Sequence, residues 1–257
     1  MRYIKLLILS IFVGTGTNVH AIDDKVFSVS SGVAKVQLIE LFTSEGCSSC
    51  PPADKWLSKY MHNEGLWTRY VPVAFHVDYW DYIGWKDRFA SPAYTQQQYD
   101  YKRSSATSRV YTPQFVVNGK EWSGWFRRII PGLGSLPEQQ QPVGELSLTI
   151  QQGKMQAVFD IDKVQSHNSL LHVALLASDI QTQVTRGENH GRVLEHDFVV
   201  LSHRQYHGNK KSNVRQWQGA APPIPAIAAE AGRLAWVAWL ADKATGATLQ
   251  AVGGWLE

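Results

Sequence analysis

Short apolar runs separated by polar turns fill the chain, and their period changes part-way along it. Val36-Gln-Leu-Ile-Glu-Leu-Phe42 is short and mainly apolar, which predicts a buried strand. A turn, Thr43-Ser-Glu-Gly46, leads to Cys47. Pro51 and Pro52 suit the first turn of a helix, where their missing N–H groups cost nothing. Ala53 to His62 continues that helix with Trp56, Leu57 and Tyr60 on one face. Tyr70 to His76 predicts a second strand, with Pro72 marking an edge or an irregular start. The polar and aromatic stretch from Asp78 to Arg109 predicts a largely helical segment. Gln114 to Val117 predicts a third strand, closed by the hairpin turn Asn118-Gly119. Strand, helix, strand, helix and hairpin make an α/β order.

Residues 131–144 carry three prolines, three glycines and a glutamine run, which predicts a linker. Beyond it the period becomes two. Glu145 to Ile150 alternates, turns at Gln152-Gly153, and resumes as Met155, Ala157, Phe159 and Ile161. Leu170–Ala177, Asp197–Leu201, Leu234–Ala241 and Ala247–Val252 are further strands. Many short strands between turns predict an all-β sandwich.

A chain of 257 residues suits two domains. With 44% hydrophobic and 18% charged residues it has the material for a core and is no disordered chain. Its formal charge of +3 is too small and too scattered to argue for nucleic acid. Arg2 and Lys5 flank the start of an apolar run, Leu6 to Val13, and Val19-His20-Ala21 follows. That order predicts a signal peptide over residues 1–21, cleaved after Ala21. The run is shorter than the ~20 residues of a spanning helix. The expectation is a periplasmic or secreted chain with no membrane span after cleavage, in a compartment where thiols are oxidised. The expected division is 22–130 for the α/β domain, 131–144 for the linker and 145–257 for the β-rich domain.

Both cysteines of the chain lie in Cys47-Ser-Ser-Cys50-Pro51. Cys47 falls just before a helix start, where the helix dipole favours a thiolate. A thiolate attacks a partner's disulfide, and Cys50, one turn on, would resolve the mixed disulfide. Two other readings stay open. The pair is a permanent bond in a redox-inert interaction protein, or Cys47, Cys50 and His76 form a soft copper site. Thr112-Pro113 stands just before the third strand. A cis bond there would expose backbone for pairing with a peptide. Tyr79, Trp80 and the other rings of the 78–109 stretch either line a peptide groove or pack their own core. His190, His196, His203 and His207 share no spacing with the cysteines and read as a scattered surface set. No phosphate-cradling glycine loop is present, and no cofactor is expected.

Over about residues 34–125 the chain resembles the thioredoxin-like superfamily, on Glu40-Leu-Phe-Thr-Ser-Glu-Gly-Cys-Ser-Ser-Cys-Pro51 and Thr112-Pro113. The resemblance implies an α/β thioredoxin-like N-terminal domain, followed here by an all-β sandwich-like C-terminal domain. It makes Cys47 the attacking thiol, Cys50 the resolving one and Pro113 the cis-proline facing them. Thr112, Trp80 and Tyr79 would then meet the substrate, and Glu40 is either a buried group that takes the proton of Cys50 or a strand-edge residue in solvent. Glu40 stands seven residues before Cys47, one more than is usual, so the turn holds an extra residue. More closely, the chain resembles the secreted bacterial family catalogued as domain of unknown function 1223. That likeness rests on Glu40 to Asp54, His76-Val-Asp-Tyr-Trp80, Tyr111-Thr-Pro-Gln114 and Arg186-Gly-Glu-Asn189. The reading is a secreted thiol–disulfide oxidoreductase whose partners are protein thiols or disulfides of the periplasm. A periplasmic copper-binding chaperone and a redox-inert interaction protein are the alternatives.

Overall fold

A computed structural model describes residues 25–127, 136, 141–160, 169–207 and 214–257. The expected signal peptide, and the expected linker apart from residues 136 and 141–144, lie outside them, as does Ile161. In the first half run β1 (Phe27–Ser30), β2 (Gln37–Thr43), α1 (Pro51–Ser58), β3 (Tyr70–His76), α2 (Pro92–Arg103), β4 (Gln114–Val117) and β5 (Lys120–Glu121). In the second follow β6 (Glu145–Gln151), β7 (Lys154–Asp160), β8 (Ser169–Ser178), β9 (Ile180–Gln183) and β10 (Val193–His196). β11 (Val199–His207), β12 (Val214–Ala220), β13 (Arg233–Asp242) and β14 (Thr248–Trp255) complete the described strands.

Strands of both halves share the same sheets. An eight-stranded sheet runs β14-β13-β8-β11-β3-β2-β4-β5, and a four-stranded sheet runs β1-β6-β7-β12. β3 pairs in parallel with β2 on one side and touches β11 in parallel on the other, at Ala74 and Val199. β1 pairs antiparallel with β6. This corrects the expected fold class. The chain is mostly β, with two α-helices among the described residues, and no α/β thioredoxin-like N-terminal domain stands apart from a C-terminal sandwich. The polar stretch expected to be largely helical holds only α2 and a short 3-10 turn at Asp81–Ile83.

Two-sided burial explains the arrangement. Alternate residues of β8 and β13 point to opposite faces. Leu171, Val173 and Leu175, with Trp236, Ala238 and Leu240, pack against Leu146, Leu148, Phe159 and Trp217 of the four-stranded sheet. Ala174, Leu176, Val237 and Trp239 join a second core with β2, β3, α1 and α2. Fully burying one such Leu, Val or Phe side chain is worth roughly 1.5–3 kcal/mol, so both faces hold these strands central. Two hairpins follow their sequence signals. Gln152-Gly153 and Asn118-Gly119 have positive φ at both residues, as a tight two-residue turn requires.

β2 divides the two helices. Phe115, opposite Leu41 on β4, meets Trp56 of α1, with ring centroids 5.0 Å apart. Phe42 meets Tyr101 of α2 at 6.1 Å. Odd-numbered positions of β2 therefore face α1 and even-numbered positions face α2.

Candidate functional site

The end of β2 runs into the turn Ser44–Gly46 and then into the cysteine pair. Cys47 and Cys50 are joined in a disulfide, with Cα atoms 5.4 Å apart. Both are fully buried, while Ser48 and Ser49 between them are exposed. Cys50 has helical backbone angles and caps α1 without a side-chain hydrogen bond. Pro51 and Pro52 have no N–H, and the N–H groups of Ala53 and Asp54 both donate to the Cys50 carbonyl. The free helix N–H donors expected beside Cys47 are thus absent from these four residues. What remains is the dipole itself and the Ser49 hydroxyl, 3.4 Å from the Cys47 sulfur.

Residues from the second half close the turn. The Asn189 amide, itself fully buried, donates to the carbonyls of Glu45 (2.8 Å) and Cys47 (3.0 Å). Its own oxygen accepts from Arg192 at 3.0 Å. The exposed Glu188 carboxylate accepts the Ser48 N–H at 3.1 Å; the Ser48 hydroxyl first, and this N–H second, hold its pKa below the usual range. Gly187 sits at φ +73°, and a Cβ there would lie 3.3 Å from Ile83 and from Trp85. The Arg186–Asn189 stretch, one of those that carried the resemblance, is a clasp on the cysteine turn.

Trp80 links the cysteine turn to the proline loop. Its Nε1 donates to the Thr112 hydroxyl at 2.7 Å, and a Cβ on Gly46 would meet the Trp80 Cβ at 3.0 Å. The Thr112-Pro113 bond is cis and Pro113 is buried. Gln114, the next residue, pairs with Phe42, so the proline loop lies by the end of β2 that leads to Cys47. Tyr79 is half-buried and donates to Gln98 at 3.3 Å. Phe89, Tyr94 and Tyr101 are buried as packing residues, whereas Tyr82 stays 82% exposed.

Glu40 is not beside Cys50. It is fully buried on the even face of β2, toward α2, where it accepts from Tyr101 (2.6 Å) and Gln97 (3.0 Å). Burial pushes its pKa up to about 8, against the pull of those two hydrogen bonds. The α1 face holds a different set of ionisable groups. His76 on β3, level with Thr43, has Nδ1 2.7 Å from the Asp87 carboxylate. Burial opposes its charge, but Asp87 outweighs this and raises its pKa to about 9. Burial likewise opposes the Asp87 charge, yet His76 and the N–H groups of Glu45 and Phe89 hold that carboxyl below its usual range. His196 on β10 places Nε2 3.2 Å from Glu45, whose other oxygen accepts from Trp85. The two imidazole rings lie 5.1 Å apart. Asp54, four residues after Cys50, retains some exposed surface. Burial raises its pKa; the His196 and His76 rings and the adjacent Thr43 draw it down.

His196 is therefore buried and belongs to this cluster, which corrects its reading as one of a surface set; His203 is half-buried and stacks on Trp239 and His172. Spacing in sequence showed none of this, because the cluster joins β2, β3, α1 and β10. Asp54, at i+4 from Cys50, was the one member legible from local spacing. The proposed copper ligands do not converge. The cysteines are bonded to each other, His76 is held by Asp87, and no three His, Cys, Asp or Glu side chains among the described residues are placed to hold a metal ion.

Two solved structures share the fold. A crystal structure of an Agrobacterium tumefaciens protein is 25% identical, with a TM-score of 0.51 over 85% of this chain and 94% of that one. HBP35 of Porphyromonas gingivalis is 13% identical, with a TM-score of 0.56 over 88% of this chain and 76% of that one, a likeness of fold alone. No curated protein matches the chain. The family model described as protein of unknown function DUF1223 matches residues 38–238, which takes in the cysteine pair, the proline loop, the clasp and the buried cluster. The chain belongs to the DUF1223 family.

Proposed function

We propose that this chain is a periplasmic or secreted thiol–disulfide oxidoreductase acting on cysteine-bearing proteins. The supporting observation is the disulfide between Cys47 and Cys50 at the start of α1, with an ionisable carboxyl one helical turn beyond it. Cys47, fully buried while the turn is closed, is the sulfur assigned to the partner's attack once the turn opens. It lies in the turn outside the helix, and the two residues after it are exposed, whereas the Cys50 backbone is tied into α1. A partner thiolate attacks Cys47, forms a mixed disulfide and releases Cys50. Attack by the partner's second thiol then frees Cys47 as a thiolate, favoured by the helix dipole and the Ser49 hydroxyl. Trp80 and Thr112 form the wall of the site beside the turn, and the Glu188 carboxylate forms its acidic rim.

Reduction of insulin by dithiothreitol, followed by turbidity, tests the reading with the wild type and Cys47→Ser. The wild type accelerates it and the folded Cys47→Ser variant does not. Equal rates would reject the activity. So would a reduction potential below about −300 mV, where structural disulfides lie.

A further inference from the structure

We infer that Asp54, supported by the buried His76–Asp87 and His196–Glu45 pairs, is the proton donor and acceptor for Cys50. The inference rests on the exchange activity proposed above and names the group that completes it. Three observations carry it. Cys50 and Asp54 are joined by a helical hydrogen bond, Asp54 N–H to Cys50 carbonyl at 3.1 Å, so their side chains share one face a turn apart. Both imidazoles beside Asp54 are 97% or more buried; the His76 Nε2 lacks a hydrogen-bond partner, and the His196 Nε2 has the ion pair with Glu45 at 3.2 Å. An orphaned buried ring nitrogen is costly unless it serves a proton or an anion. Finally, Asp54 is ringed by polar side chains from several elements. Thr43 of β2, His76 of β3, Asp87 before α2, Glu45 in the turn and His196 of β10 are the polar groups that surround it. Burial keeps a proton on Asp54 more firmly than water would, and the two rings stabilise the anion once the proton has gone.

The chemistry balances as follows. A partner dithiol enters with one sulfur as thiolate and the other as thiol. That thiolate attacks Cys47; the Cys47–Cys50 bond breaks and its electron pair passes to Cys50. The Asp54 carboxyl gives its proton to Cys50 and becomes an anion beside His76 and His196. The partner's second thiol loses its proton to solvent and attacks its own bridged sulfur, and Cys47 leaves as a thiolate. Asp54 takes a proton back from solvent. The partner's thiolate and thiol are oxidised to a disulfide, the Cys47–Cys50 disulfide is reduced to one thiolate and one thiol, and no net proton is released or taken up. The reverse direction uses Asp54 as the base for Cys50. Asp54 acts on the reacting sulfur, whereas His76 and His196 are positioning residues.

The test is stopped-flow reduction of the oxidised full chain by dithiothreitol between about pH 5 and pH 9, read by tryptophan fluorescence. The wild-type rate shows a bend beyond the titration of dithiothreitol itself. Asp54→Asn loses that bend and slows the reaction by about 10²-fold at the acid end. His196→Gln moves the bend to higher pH, because the ring that draws the Asp54 pKa down is gone. A purely structural role would lower the unfolding midpoint and leave the profile's shape unchanged. An Asp54→Asn profile that overlies the wild type's, or a bend unmoved in His196→Gln, overturns the inference. Should Asp54→Asn not fold, Asp54→Glu takes its place: a retained bend supports the relay and a lost one overturns it. Failure of the relay with Cys47→Ser still inactive leaves the oxidoreductase reading intact. An active Cys47→Ser removes that reading instead.

Discussion

Replacing Asn189 tests whether the second half of the chain holds the cysteine turn in place. The Asn189 amide is fully buried and gives its two protons to the carbonyls of Glu45 and Cys47. Asn189→Ala removes both bonds and leaves the Glu45 carbonyl and part of the Cys47 carbonyl without a donor. A hydrogen bond contributes about 0.5–1.5 kcal/mol net, and a stranded buried polar group costs about 1–3 kcal/mol. The Cys47 carbonyl keeps the Cys50 N–H at 3.2 Å, so the loss there is partial. The expected destabilisation is about 2–4 kcal/mol. Asn189→Asp should cost at least as much, because an acceptor then faces two carbonyls at the same volume. Urea unfolding of the oxidised protein measures both, with the slope checked for constancy. The loosened turn should also expose the disulfide, so that dithiothreitol reduces it faster in Asn189→Ala than in the wild type. A variant within about 0.5 kcal/mol of the wild type would refute the reasoning, since two buried carbonyls cannot be stranded so cheaply.

Two further outcomes concern the buried charges. His76→Ala should destabilise by about 3–5 kcal/mol near neutral pH, because Asp87 is left buried without its partner. His76 has its pKa raised to about 9 from 6.5, so its contribution is complete below pH 6.5 and lost as pH rises through 9; the cost of His76→Ala should shrink over that window, and a constant cost would contradict the pairing. Glu40→Gln should follow pH in the same sense over a lower window. The native carboxyl, raised from 4.5 to about 8, binds a proton that the unfolded chain has already released, so wild-type stability falls as pH rises through that interval. The variant lacks this slope and should gain on the wild type between pH 4.5 and 8, which urea midpoints at the two ends would reveal.

Local features were legible in the sequence and long-range pairings were not. The apolar runs at Val36–Phe42, Tyr70–His76 and Gln114–Val117 became β2, β3 and β4, and the proline pair opened α1. Gln152-Gly153 and Asn118-Gly119 turned as their φ preferences demand. The uninterrupted apolar runs of β8 and β13 held the missed signal. A sandwich strand with one solvent face should alternate, whereas Leu171 to Ala177 and Ala235 to Leu240 are buried on both faces. That pattern marks the centre of a large sheet. It says nothing of which strands lie alongside, and the junction of β11 with β3 rests on a single bridge at Ala74 and Val199. The site divided in the same way. Cys47, Cys50, Thr112 and Trp80 lie near the same end of β2. The face of β2 on which Glu40 falls follows from counting along the strand once α1 and α2 are placed, and Glu188, Asn189 and His196 arrive only through the tertiary fold.

The clasp has a consequence for the order in which the molecule matures. Asn189 follows Cys47 by 142 residues. A ribosome that has delivered both sulfurs must still add most of the remaining chain before the Asn189 clasp can close on them. Throughout that interval the pair lacks this cover, so oxidants and thiols meet it more readily than they do in the folded chain.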